Sequence, residues 1–339
     1  MKTLDQKLET LRLNPGGKAF ILADAKDADM AWGIASPGKP WPADPARPDL
    51  YRSMPEFCDD IRAIVRQGLV DIMLASTSVM SRLAHEEKLF DNSPVTPAVR
   101  ANDTTDVWVG RGAKYREQPS RAFSTCYLDE VQFGSLTAPR QGRPGVNLGL
   151  YSITFTNDLD TDLANLEVYR AFRAEAERKG FRYFLEVFDP NTDAGLPTEE
   201  IPGFVNDSIV RTLAAVPPSG RPDFLKIAYH GPRWLEELVN YDPALVIGIL
   251  GGGAGTTFDA FKLLANAQKY GARVALYGRK IKEAEDPLAF IHHLRLIVDE
   301  GLEPAEAVRS YHAELQKQKL PTKRTLTDDL QLTDTVLHY

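Results

Sequence analysis

The sequence predicts an α/β protein built as a single (β/α)8 TIM barrel, and three observations carry that expectation. From residue 147 onward, short apolar runs bounded by Gly and Pro alternate with stretches of helical period, the pattern of a parallel sheet with helices outside it. About eight such units fit in the chain, enough to close a barrel rather than leave an open sheet. Two glycine turns, Gly251–Gly253 and Gly278-Arg279, then end the seventh and eighth strands, where barrels commonly bind phosphate.

In chain order, a polar lead, 1–13, precedes the stretch Lys18 to Asp29, read as a first strand running into an acidic loop. Leu22 and Asp24 share a face, which places Asp24 at the inner, C-terminal end of the strand. The proline-rich stretch Ser36 to Pro48 reads as an ordered insertion, a lid or subunit contact. A helix near 54–67 leads to a second strand at 70–75. Val107–Gly110 and Arg121–Thr125 compete as the third strand, and 129–144 reads as a hairpin or loop. The later units are regular: strands at 147–155, 182–188, 223–231, 244–250 and 273–277, with helices near 164–178, 207–215, 234–239 and 258–270 between them. Helices at 287–300 and 304–316 complete a barrel unit over 1–316, and 317–339 reads as a polar tail.

Composition narrows the functional classes. A net charge of −7 argues against nucleic acid as the main partner, and no apolar run approaches the roughly 20 residues that span a membrane. Cys58 and Cys126 have neither metal-type nor disulfide spacing, and the six histidines form no ligand motif, with His292-His293 read as a solvated or capping pair. Chemistry without a metal or cofactor, in a reducing cytoplasm, is the expectation.

The candidate reactive group is Lys226. With Leu225 and Ile227 facing helices, Lys226 points into the barrel, where desolvation favours the neutral amine that attacks a carbonyl to form a Schiff base. Burial can equally be offset by a carboxylate partner with no chemistry. Glu186, inward if Leu185 and Val187 pack against helices, and Asp24 are candidate proton shuttles, and Tyr151, set on the inner face of the fourth strand with Asn147 and Gly149, is a third. Gly251, Gly252, Gly253, Gly278 and Arg279 form the candidate phosphate cradle, with Thr256 and Thr257 as donors or caps at a helix N-terminus. Arg52, Arg121, Arg233 and Lys26 are candidates to meet a second anionic group, but each reads first as an ordinary surface charge.

These residues resemble the class I aldolases of the superfamily that includes deoxyribose-phosphate, archaeal-type fructose-bisphosphate and tagatose-bisphosphate aldolases. The resemblance rests on Leu22-Ala23-Asp24, Phe224-Leu225-Lys226-Ile227, Gly251-Gly252-Gly253 and Tyr277-Gly278-Arg279-Lys280-Ile281, with Phe184-Leu185-Glu186 closer to the tagatose-bisphosphate branch. It covers about 147–312, and it departs at Lys280, at the fourth strand and in the long segment 29–48, which marks a divergent member. It implies a Schiff-base lysine at Lys226 and a phosphate held by the backbone of Gly252, Gly253, Gly278 and Arg279. The expected activity is cleavage or formation of a C–C bond in a phosphorylated ketose. Transaldolase or thiolase-like transfer, an imine-free isomerase using Glu186, and a sugar-phosphate-binding barrel are the alternatives. Barrels of this type usually assemble, so a homo-oligomer is expected.

Overall fold

Alternation along the strands divides the core into two shells. The computed structural model describes every residue except Pro48, Val109, Arg140, Gln141, Arg143, Ala254 and Tyr339. Eight parallel strands close in sequential order: β1 (Ile21–Lys26), β2 (Ile72–Ala75), β3 (Thr96–Arg100), β4 (Leu148–Thr154), β5 (Arg182–Phe188), β6 (Leu225–Ile227), β7 (Ile247–Leu250) and β8 (Val274–Tyr277). The chain is a (β/α)8 barrel, with an insertion after β1 and an extension after the last helix.

Ile21, Ala23, Leu74, Ala98, Leu148, Leu150, Phe184, Phe224 and Leu276 fill the inside, whereas Leu22, Met73, Val99, Tyr151, Leu185, Ile227 and Tyr277 pack outward under the helices. Strands buried on both faces are apolar on both, as parallel barrels require. The polar lead is a helix, α1 (Thr3–Leu13), whose Leu4, Leu8 and Leu11 recur at helical spacing and join the inner shell. It closes the N-terminal mouth, anchored by Lys7 on Asp71 (2.9 Å) and Asp5 on Arg182 (2.6 Å).

The outer ring includes α2 (Met54–Gln67), started by a Ser53–Glu56 capping box. It continues with α3 (Leu128–Phe133), α4 (Leu159–Lys179), α5 (Ile201–Ala214), α6 (Pro232–Tyr241), α7 (Thr257–Lys269), α8 (Pro287–Glu300) and α9 (Pro304–Lys317).

The third strand is a correction. Neither candidate segment supplies it: Ala122–Phe123 pairs with Asp103–Thr104 in a two-stranded antiparallel ribbon, and Val107 and Trp108 lie in a turn, with Val109 outside the described residues. The 129–144 stretch starts with α3 rather than a hairpin. This β3–β4 excursion lies over the C-terminal mouth. Asn191 pins it by donating to the carbonyls of Arg116 and Gln118, and Asp106 accepts from Ser120 and Thr154.

The final segment docks back onto the barrel. Asp259 at the start of α7 accepts from the Thr333 amide (2.8 Å) and hydroxyl (2.5 Å), and Leu337 is buried. Trp41, in the insertion after β1, donates to the Pro321 carbonyl (3.0 Å), so insertion and tail brace each other. No helix is long and apolar enough to cross a membrane among the described residues.

Candidate active site

Parallel register sets one row of side chains across the inside of the C-terminal mouth. Ser152 of β4 pairs with Glu186 of β5, Glu186 with Lys226 of β6, and Lys226 with Gly248 of β7. One pleat below, Phe184 and Phe224 stack at 4.5 Å and form an apolar floor. Lys226 is 5% exposed and Glu186 1%, and Lys226 Nζ lies 2.5 Å from Glu186 Oε1. Ser152 Oγ donates to Glu186 Oε2 at 2.6 Å, and Asn102 in turn grips the Ser152 backbone through its carbonyl (2.8 Å) and its amide (2.7 Å).

Two groups that sequence reasoning missed complete the cluster. Arg100, the last residue of β3, reaches Asp27 (2.5 Å), Ser152 (3.2 Å) and Glu186 (3.6 Å). Burial disfavours the charge on Asp27, but Arg100 and Lys226 outweigh it and hold the carboxyl below its usual range. Burial likewise opposes the charge on Arg100, yet Asp27, Glu186 and Asp103 keep it charged. Two cations and two carboxylates thus neutralise one another inside the barrel, and a proton can move between Lys226 and Glu186 without leaving net buried charge.

Two predicted proton shuttles fall elsewhere. Tyr151 does not face the interior with Asn147 and Gly149; it points outward between Tyr169 and Phe172 of α4, with ring centroids 5.1 and 4.5 Å away. Burial raises its hydroxyl pKa further, so it takes no part at Lys226. Asp24 is on the outer side as well, registered with Met73 and Tyr277, and its neighbour is Lys26 at 3.5 Å. The strand-one carboxylate facing the cluster is Asp27, three residues on. Lys26 is no surface charge; it is 1% exposed. Arg52 pairs with Asp60, and Arg233 lies over Trp234. His293 is buried, with its ring nitrogens on Ala289 and Ser310, rather than solvated.

A cavity of about 540 Å³ opens above the cluster, running from Lys226 and Glu186 to Gly251, Gly252, Gly278 and Arg279. The glycine turns are close-packed. A Cβ on Gly253 would lie 2.0 Å from the Arg279 guanidinium carbon, so Gly253 is the shelf on which Arg279 rests; it lines a neighbouring cavity with Asp259 and Thr333 instead. The α7 N-terminus is not open to an anion, because the chain's own carboxylates cap it. Thr257 N–H donates to Asp329 (2.8 Å), Thr256 N–H to Asp259 (2.8 Å), and the Thr256 hydroxyl to the Gln331 carbonyl (2.7 Å). The cradle is therefore narrower than predicted, with Lys280 also turned to the Gly255 and Thr256 carbonyls. Among the described residues lining the cavity, Lys26, Arg100, Arg116, Lys226, Arg279 and Lys282 face three carboxylates, Asp27, Glu186 and Asp334.

With this geometry in view, comparison with solved structures is decisive for the fold. An archaeal fructose 1,6-bisphosphate aldolase superposes over 86% of this chain and 98% of its own, with a TM-score of 0.58 at 18% identity. The chain has that aldolase fold. An archaeal fructose-1,6-bisphosphate aldolase with its catalytic lysine covalently bound to the carbinolamine intermediate matches over 86% of this chain and 99% of its own (TM-score 0.57, 18% identity). A Corynebacterium glutamicum protein matches over 88% and 94% (TM-score 0.58, 16% identity). No protein-family model and no curated protein matches the sequence. The likeness to class I aldolases is thus one of fold, carried by a divergent sequence.

Proposed function

We propose that the chain is a class I aldolase acting on a phosphorylated ketose through a Schiff base on Lys226. The observation that carries this reading is the 2.5 Å Lys226–Glu186 pair at the floor of a cavity whose other end is formed by the two glycine turns. The cationic excess along the cavity favours an anionic substrate. Gly251, Gly252, Gly278 and Arg279 would hold its phosphate, with Gly253 supporting Arg279.

Lys226 gives a proton to Glu186 and adds as the neutral amine to the ketone carbon, forming a carbinolamine. Glu186 returns the proton to the departing hydroxyl, which leaves as water, and the iminium remains. A carboxylate of the cluster, Glu186 or Asp27, then takes the proton of the hydroxyl on the carbon β to the iminium carbon. The bond between the α and β carbons breaks, its electron pair flows to the iminium nitrogen as an enamine, and the β carbon departs as an aldehyde. Protonation of the enamine carbon and addition of water release the ketone product and restore Lys226. Ser152 and Arg100 hold Glu186 in place through both steps.

Turnover of a ketose phosphate panel by Lys226→Arg tests the assignment. The variant keeps the charge against Glu186 but cannot form the imine, so activity should be lost in a folded protein. Retained turnover would overturn it.

A further inference from the structure

We infer that Asn102 is a positioning residue: by clamping the backbone of Ser152 it fixes the hydroxyl that holds Glu186 against the amine of Lys226. This rests on the proposed Schiff-base reaction. Asn102 lies two residues beyond β3, where the chain leaves the barrel for the β3–β4 excursion. The backbone ladder to β4 ends with the Ala101 amide on the Leu150 carbonyl (2.8 Å), and the Asn102 side chain continues it. Its Oδ1 accepts from the Ser152 amide (2.7 Å), and its Nδ2 donates to the Ser152 carbonyl (2.8 Å), with a longer contact to the Asp103 carbonyl (3.3 Å). A carboxamide thus stands in for a missing strand residue and satisfies both backbone groups of a fully buried serine.

What ties this clamp to the chemistry is the residue it grips. Ser152 is in register with Glu186, and its hydroxyl accepts from Arg100 Nη1 (3.2 Å), so its own proton is directed at Glu186 Oε2 (2.6 Å). One carboxylate oxygen is thereby held, and the other, Oε1, is left 2.5 Å from Lys226 Nζ. A shift of the β4 backbone would carry the hydroxyl with it and let the carboxylate rotate away from the amine. Proton exchange depends steeply on that geometry. An asparagine that only satisfied buried backbone would serve equally well elsewhere along β4; here it grips the residue whose side chain touches Glu186.

The test is a double-mutant cycle of Asn102→Ala and Ser152→Ala. Imine formed with dihydroxyacetone phosphate is reduced with borohydride at timed intervals, over a range of ligand concentrations. Asn102→Ala should lower the maximal rate of adduct formation on Lys226 roughly tenfold, with the half-saturating concentration unchanged, and Ser152→Ala should do the same. The double variant should be no slower than Ser152→Ala alone, because Asn102 acts through that hydroxyl. Losses that multiply in the double variant, an unchanged maximal rate in Asn102→Ala, or a raised half-saturating concentration with the rate intact would overturn the inference. If Asn102→Ala does not fold, Asn102→Asp takes its place in the cycle; it keeps the shape and the acceptor for the Ser152 amide and loses the donor to the Ser152 carbonyl. A wild type that forms no adduct on Lys226 would remove the Schiff-base reading and this inference together, whereas an adduct with unaltered rates in the variants would remove this inference alone.

Discussion

At Glu186 two demands meet in one carboxylate. It offsets the buried charge of Lys226, and in the proposed reaction it must also accept and return that lysine's proton. Glu186→Gln separates the two. The amide keeps the shape but carries neither charge nor proton, so kcat should fall by about 10²-fold or more. The partner left uncompensated should lower unfolding free energy by about 3 kcal/mol in a denaturant titration. Lost stability with unchanged kcat would leave Glu186 as a charge partner only. Asp103 offers a pH prediction of a different kind. Burial, opposed by Arg100, pushes its carboxyl up to about 6 from an ordinary value near 3.8. The folded state therefore holds this proton more tightly than the unfolded chain, and the contribution of Asp103 to stability is present below about pH 4 and declines as pH rises to about 6. Asp103→Asn removes the dependence, so the stability of the variant relative to wild type should climb across that window; a flat difference would contradict the assignment.

At the scale of elements, legibility followed polarity contrast. In Leu185-Glu186-Val187 and Leu225-Lys226-Ile227 one polar residue sits between two apolar ones, and alternation alone places it inward. Leu148-Gly149-Leu150-Tyr151 and Ile21-Leu22-Ala23-Asp24 carry apolar residues on both faces, as buried parallel strands do, and period 2 then finds two faces without saying which is inner. That ambiguity reversed Tyr151 and Asp24 and hid Asp27. Strand β3 was missed because Thr96-Pro97-Ala98-Val99-Arg100 is short and contains a proline, normally a mark against a central strand, whereas Val107–Gly110 looked more apolar. Arg100 was lost with it. The opening helix was read as a polar lead because only three of its eleven residues are buried, yet those three leucines close the barrel floor. Leu8→Ala should cost about 2–5 kcal/mol in unfolding free energy, with KM and kcat unchanged because α1 shuts the mouth opposite the cavity. A change in KM without loss of stability would argue against that placement.

For the whole molecule, a net charge of −7 coexists with a cavity whose lining includes, among the described residues, six cationic and three acidic ones. Composition, which averages over the surface, could not show this concentration of positive charge. The barrel itself was legible because strand and helix periods alternate so regularly after residue 147. The docking of the tail on the start of α7, through Thr257 to Asp329 and Thr333 to Asp259, was not, since it joins positions more than seventy residues apart and folds a tail with no apolar period back over the barrel. These long-range contacts redraw the glycine-turn end of the cavity, whereas the Lys226–Glu186 end stands as the strands dictate.

The central claim, an imine at Lys226, is tested most directly by borohydride reduction in the presence of dihydroxyacetone phosphate and a panel of ketose phosphates, followed by peptide mass spectrometry. The account predicts a reduced adduct on the peptide carrying Lys226 and none in Lys226→Arg. A folded wild-type protein that yields no adduct with any of these ligands, or one modified at another lysine, would contradict it.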